Sequence, residues 1–211
     1  MVSQSIAGTL VKKLLAISPS KMKTVKSHSK FFIIGNADEQ HPITEEIKSD
    51  DIVVRFNIPN PSCSLMADWT FIANGYTQIR HLKIDHQLFK ADMQIFFRYS
   101  KQDIWFSRYQ KIPLHKRIKY CWRFPQWIKK FNLNQYHINT IPCDVYQHCV
   151  NILGFRQPST GLLAIDFILQ NYPKHEVLIH NFTNEGWTGH NWDDEKKIMQ
   201  TWISTKRLKI V

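Results

Sequence analysis

No apolar stretch in these 211 residues approaches the length of a membrane span, so the sequence offers no transmembrane helix. Its four cysteines, Cys63, Cys121, Cys143 and Cys149, form no C-x-x-C pair and have no finger-like spacing to histidines. They read as free thiols of a reducing compartment, with one bridge left open as the alternative. The chain has no P-loop, no H-E-x-x-H and no G-x-S-x-G. Gly35 alone is not the G-x-G-x-x-G of a dinucleotide-binding turn. There is no D-x-D, the usual metal grip of enzymes that expel a nucleoside diphosphate. Spacing alone nominates no carboxylate pair for glycoside hydrolysis.

Acid is scarce in one particular place. Between Arg98 and Lys130 stand ten Lys or Arg and a single acid, Asp103, so this stretch carries +9 of the formal +11. The partner is therefore expected to be anionic, or to sit beside an anionic surface that this segment faces. The same stretch interleaves aromatic and basic residues, and three readings compete. It can bind single-stranded nucleic acid by stacking and phosphate contact. It can be an ordinary basic helix pair whose aromatics are core. Or it can be an amphipathic lid at an anionic membrane, with Trp105, Trp122 and Trp127 at the interface, the reading favoured here.

What is present suits one soluble domain. The apolar and charged fractions, 43% and 21%, exclude global disorder. Residues 1–30 read as a basic amphipathic segment: "IAGTLVKKLLAI" is interrupted by Lys12 and Lys13, and no small-residue cleavage site follows. Packing on the domain is the expected role of that segment, membrane contact the lesser one. Residues 31–211 read as a single domain with the basic aromatic insertion at about 98–133.

Seven strand-like runs alternate with helical stretches. Strands are predicted at Phe31–Gly35, Ile52–Asn57, Trp69–Ala73, Gln94–Tyr99, His137–Ile141, Glu176–Asn181 and Arg207–Val211. Helices are predicted at about 42–48, 77–90, 112–133, 143–151, 159–171 and 193–204. Continuous apolar runs such as "FFII" and "VLI" suit strands covered on both faces. The fold class is therefore α/β, a single-domain, Rossmann-like, mostly parallel sheet flanked by helices.

In such sheets ligands sit outside the carboxyl ends of the strands. That rule selects Gly35 to Ala37, Arg55 to Asn57, Pro158 to Gly161, and the stretch from Phe182 to Glu195. In "PSTGLLAIDFIL", Ser159 or Thr160 can cap a helix and Gly161 admits a close neighbour, which makes the helix start an anion site as well as a simple cap. Asn36 and Asn57, each at a strand end, can donate to a phosphate oxygen through an amide; each also reads as a turn residue. Arg55 can be a salt-bridge partner beside them. His190, after Gly189 and before the acidic helix start with Asp193, Asp194 and Glu195, can act as a general base near neutral pH; it also reads as a surface loop histidine. His180, within a strand, reads as a satisfied buried histidine.

Taken in order, these loops resemble the sialylmotifs of glycosyltransferase family 29, the sialyltransferases. "FIIGNA…IKSDDIVVRFN" is similar to the large motif, "PSTGLLAIDFIL…HEVLIHNF" to the small one, and "HNWDDE" to the very small one, a histidine and a glutamate separated by four residues. The match covers about residues 31–74 and 150–211. The resemblance implies the sialyltransferase-like fold (a GT-A variant type) and a donor sugar activated as CMP, with sialic acid first and Kdo as the alternative. It implies that Asn36, Asn57, Ser159, Thr160 and Gly161 bind the donor, that His190 is the base, and that Arg55 and Glu195 support them. The family disulfide has no counterpart, since Phe31 replaces the cysteine of the large motif, which fits a reducing, bacterial-type cytoplasm. The family's second histidine also has no clear match, and His180 and Thr188 are the candidates for steadying the leaving phosphate.

The expected activity is metal-independent transfer of an acidic sugar, with inversion, to a glycan or glycolipid acceptor such as lipooligosaccharide or a capsule precursor. No cofactor is expected. The expected location is the cytoplasm, with peripheral contact at the inner face of an anionic membrane. The contrasting reading is a nucleic-acid-binding protein using the 98–130 segment, with the motif-like loops serving only as turns.

Overall fold

The computed structural model describes residues 25–37, 43–57, 65–75, 86–106, 108, 111–183 and 188–211. The expected N-terminal helix, Cys63 and most of the expected helix at 77–90 lie outside these residues. Seven strands form one sheet: β1 (Phe31–Ile34), β2 (Ile52–Phe56), β3 (Ala67–Ile72), β4 (Phe89–Phe97), β5 (His137–Thr140), β6 (Val177–His180) and β7 (Lys209–Ile210). Their order is β5-β4-β3-β2-β1-β6-β7, and every neighbouring pair is parallel. Every residue of β1, β2, β3 and β6 is buried, the polar Arg55, Asp68, Thr70 and His180 included, as in a sheet covered on both faces.

Among the described residues five helices provide crossovers: α1 (Lys101–Trp105), α2 (Leu114–Lys130), α3 (Cys143–Ile152), α4 (Thr160–Asn171) and α5 (Trp192–Ser204). α4 is apolar around almost its whole circumference because it lies in the core, with every residue from Leu162 to Leu169 buried. Its Phe167 ring lies 5.2 Å from Phe96 and 5.9 Å from Phe71, and these two strand residues stack on each other at 4.7 Å. Such aromatic pairs contribute about 0.5–1.5 kcal/mol each beyond area burial. The one acid in that run, Asp166, accepts from Gln170 Nε2 at 2.8 Å and Cys149 Sγ at 3.3 Å, and pairs with His148 Nδ1 at 2.7 Å. Burial pushes the Cys149 thiol far up, so it stays protonated and donates.

The chain departs from the expected elements in a few places. Among the described residues of 42–48 there is only a 3-10 turn, Thr44–Glu46. Residues 86–88 form another such turn, and β4 starts at Phe89 rather than Gln94. Its early part pairs only through Ala67 and Phe89 before a register shift, and Ala91 and Asp92 there are exposed, so no alternation marks it. α1 was not expected, although Ser100-x-x-Asp103 is a capping signature: Ser100 Oγ accepts the Asp103 N–H at 2.9 Å.

The described residues of the 98–133 stretch are part of the fold's core connection. They hold α1 and α2 as the crossover between β4 and β5, with the Phe124 ring 5.1 Å from Phe97. Trp127 is buried and Trp105 packs against the core, which leaves Trp122 as the exposed tryptophan of the three.

After α3 the chain turns through Gly154 at φ +61° and Phe155 at φ +67°. Phe155 is 84% exposed, so its ring gains little from burial there. Left-handed backbone costs an L-residue about 1–2 kcal/mol, of which glycine gives back about 0.5–1 through its freedom in the unfolded chain. Phe155→Gly is therefore expected to raise the unfolding free energy by roughly 0.5–1 kcal/mol, read as a higher urea midpoint. A lower midpoint would show that the ring makes stabilising contacts.

Candidate functional site

The strand order reverses between β1 and β6, and the crevice at this switch point is where ligands of such sheets sit. Gly35 follows β1 and donates its N–H to the His180 carbonyl at 2.8 Å. A Cβ on Gly35 would stand 2.0 Å from the Asn181 carbonyl oxygen, so only glycine lets the two strand ends leave the sheet this close together. Asn57 after β2 and Asn181 after β6 both turn the chain at positive φ, +45° and +55°, a conformation asparagine tolerates.

Asparagine amides also stitch the strand ends together. Asn36 Nδ2 donates to the Phe56 carbonyl at 3.2 Å, Asn57 Oδ1 accepts the Ala73 N–H at 2.8 Å, and Asn74 Oδ1 accepts the Tyr99 N–H at 2.9 Å. For Asn57 the turn reading is thus correct, and it leaves the NH₂ end of the amide as the group for a ligand.

The α4 entrance is held by three side chains gripping three consecutive residues. His190 Nδ1 donates to the Gln157 carbonyl at 3.1 Å. The Arg98 guanidinium donates to the Pro158 carbonyl at 2.6 Å. The Glu195 carboxylate takes both donors of Ser159, the N–H at 2.7 Å and the hydroxyl at 2.5 Å. Ser159 Oγ in turn accepts the Leu162 N–H at 3.1 Å, completing the cap. With its hydroxyl hydrogen committed to Glu195, Ser159 offers a ligand only an oxygen lone pair. The open donors of the first turn are the Thr160 and Gly161 N–H groups.

Glu195 is 2% exposed. Burial pushes its carboxyl up, while the two Ser159 donors and the Arg98 charge pull it back. Arg98 is itself buried and stands over the Tyr99 and Tyr146 rings at 5.3 and 5.6 Å. For His190, burial lowers the pKa below its ordinary 6.5; the Gln157 hydrogen bond opposes this and the Arg98 charge adds to it. Because Nδ1 faces a carbonyl it carries the hydrogen, and Nε2 carries the lone pair.

These elements enclose a cavity of about 370 Å³, to which Asn36, Asn57, Ser159, Thr160, Gly161, His190 and Glu195 all contribute. Three sequence candidates do not. Arg55 alternates with Val54 and Phe56 and so points to the opposite sheet face, where its guanidinium donates to the Leu65 carbonyl at 3.4 Å. His180 faces the same way as Leu178, with Nδ1 against the Val211 carbonyl at 2.7 Å. Thr188 is exposed and off the cavity wall.

Two residues went unnoticed in the sequence. Arg98 is hidden there within a run of surface-like cations. Asn181, read in the sequence as the last residue of the strand Glu176–Asn181, lines the cavity, and its Nδ2, sealed from solvent, has no hydrogen-bond partner among the described residues. A buried donor left unpaired costs about 1–3 kcal/mol, which a ligand acceptor would recover. No Lys or Arg is among the described residues of the cavity wall. Among the described residues no three His, Cys, Asp or Glu side chains gather as metal ligands, and no helix is long and apolar enough to cross a membrane.

No family model matches the chain, and no curated protein matches it in sequence. Among solved structures, the fold matches the crystal structure of a mammalian sialyltransferase with a TM-score of 0.63, at 15% identity, over 97% of this chain and 78% of that one. The class this defines is one of architecture: a sialyltransferase-like α/β fold.

Glu195→Ala would leave two buried Ser159 donors without their acceptor. It is expected to cost about 2–3 kcal/mol of unfolding free energy in chemical denaturation. A loss below about 0.5 kcal/mol would mean that the α4 entrance does not depend on this carboxylate.

Proposed function

We propose that this chain is an inverting glycosyltransferase of the sialyltransferase type, taking an acidic sugar from a CMP-activated donor. The carrying observation is that Thr160 and Gly161 at the α4 entrance, Asn57, Asn181 and His190 all line one cavity at the sheet's switch point. The likeness of fold to a sialyltransferase and the motif-like loops support the same reading.

The donor set suits a nucleoside monophosphate ester better than a polyphosphate. Its positive character comes from a helix entrance and neutral amides rather than a lysine or arginine cluster. The donor's carboxylate, next to the reacting carbon, and its phosphate are both anions that backbone N–H groups can hold. Asn57 and Asn181 present amide donors that hold a phosphate oxygen through the reaction. In transfer, the acceptor hydroxyl oxygen bonds to the anomeric carbon as the bond from that carbon to the phosphate oxygen breaks, and CMP leaves with the electron pair. His190 Nε2 takes the hydroxyl proton, and attack opposite the leaving group inverts the centre.

His190 suits this role because burial and Arg98 keep the imidazole neutral at pH 7. Glu195 and Arg98 act on Ser159 and Pro158 and are positioning residues. Sialic acid and Kdo satisfy the same donor set equally. The acceptor in this reading is a glycan or glycolipid, met at the inner face of the cell membrane, and the chemistry uses no metal or cofactor.

Calorimetry with CMP tests the binding half: wild-type affinity is expected in the micromolar range, with Asn57→Ala and Asn181→Ala each weakening it. An absence of CMP binding would end the proposal. A screen of CMP-sugar turnover with candidate glycans tests the transfer. His190→Ala is expected to lower kcat by about 10²–10⁴-fold while leaving CMP affinity intact. The wild-type rate is expected to fall as pH drops through a value below 6.5, because protonation removes the base, and His190→Ala should lack that acid limb.

A further inference from the structure

α2 is apolar on two opposite sides. Its inner side, Tyr120, Cys121, Phe124 and Trp127, is buried against the sheet. On the outer side Leu114, Ile118 and Trp122 recur every fourth residue, so they form one strip along the helix. They are 60%, 52% and 61% exposed. Alongside them, at steps of three, four and seven, run Lys116, Lys119, Arg123 and Lys130. No acid occurs anywhere in the helix.

We propose that this outer face of α2 docks onto the surface of an anionic lipid bilayer. Leu114 and Ile118 would enter the acyl boundary, Trp122 would lie at headgroup level, and the cations would reach lipid phosphates. Charge decides against the other covers. A second copy would set this cationic face against itself. Residues 1–24 carry Lys12, Lys13, Lys21 and Lys23 with no acid, so they repel the same face. A nucleic acid strand would need successive stacking rings, but Tyr120, Phe124 and Trp127 are in the core and Trp122 stands alone on this helix.

The position of the face agrees with its use. The Tyr120 hydroxyl donates to the Tyr99 carbonyl at 3.2 Å and accepts from Asn74 Nδ2 at 2.5 Å. Both residues lie just beyond the carboxyl ends of β3 and β4. The exposed strip occupies the same half of α2, at the sheet edge that carries the cavity. Docking thus brings the cavity edge to the lipid headgroups, where a lipid-linked glycan presents its hydroxyls; this last step, and only this one, rests on the proposed transfer activity.

The test is flotation of the full chain with phosphatidylcholine vesicles, with and without phosphatidylglycerol. Wild type is expected to float only with the anionic vesicles, less so in high salt. A Leu114→Gln/Ile118→Gln/Trp122→Gln variant and a Lys116→Glu/Lys119→Glu variant are each expected to reduce the bound fraction about tenfold or more. All five side chains that differ are exposed, and circular dichroism with thermal melting verifies that each variant is folded. Variants that float like wild type, or a wild type that ignores anionic vesicles, would overturn the proposal. So would Trp122-dependent self-association or Trp122-dependent oligonucleotide binding in the absence of lipid binding. CMP calorimetry on the same proteins keeps the two readings apart: flotation without CMP binding refutes the transfer activity alone, and CMP binding without flotation refutes the docking alone.

Discussion

The buried pair between Glu195 and Ser159 is the interaction on which the site depends. It joins the first turn of α5 to the first turn of α4, the helices that follow and precede β6 in the chain. A carboxylate this deep needs its oxygens occupied, and the Ser159 N–H and hydroxyl do this together. The same pair fixes the helix entrance at which Thr160 and Gly161 line the cavity. Because His190 and Arg98 grip the two residues just before Ser159, the proposed base and the proposed anion site share one short piece of backbone. Their separation is set by the peptide geometry of Gln157 to Ser159 more than by flexible side chains.

The site gets positive character with no Lys or Arg among the described residues of its wall. Arg98, the strongest charge nearby, is turned inward onto a carbonyl and two aromatic rings. From there it lowers the proton affinity of His190 and Glu195 without touching the cavity. The donors among the described cavity residues are uncharged, the α4 entrance and the asparagine amides, beside the buried Glu195 carboxyl. A site of this kind favours a compact anion whose oxygens can be individually hydrogen-bonded, and it discriminates by geometry rather than by charge.

Much of the fold was legible in the sequence. All seven strands were found because their apolar or β-branched runs have little helical periodicity, and the loops at the carboxyl ends followed from the rule for parallel sheets. The departures share a physical cause: composition carries no side-chain direction. Strand alternation would have sent Arg55 and His180 to the far face, since each sits one residue from a neighbour packed on the α4 side. Helical periodicity would likewise have separated Trp122 from Trp127 across α2. Arg98 and Asn181 were hidden for a different reason. Their importance lies in contacts sixty residues away in sequence, or in the lack of a contact, and neither leaves a local pattern.

Gly35 and Gly161 both sit tight in this crevice, but their neighbours differ in kind. An extra methyl at Gly161 meets the rim of the Phe182 ring at 3.1 Å, and a ring can be trimmed by a second substitution. At Gly35 the obstacle is the Asn181 peptide itself, which every amino acid carries. Suppressor mutations can therefore reopen an evolutionary path at the first position and none can at the second. Descendants of this chain are free to vary the floor of the pocket around Phe182 while the junction of its two central strands stays frozen.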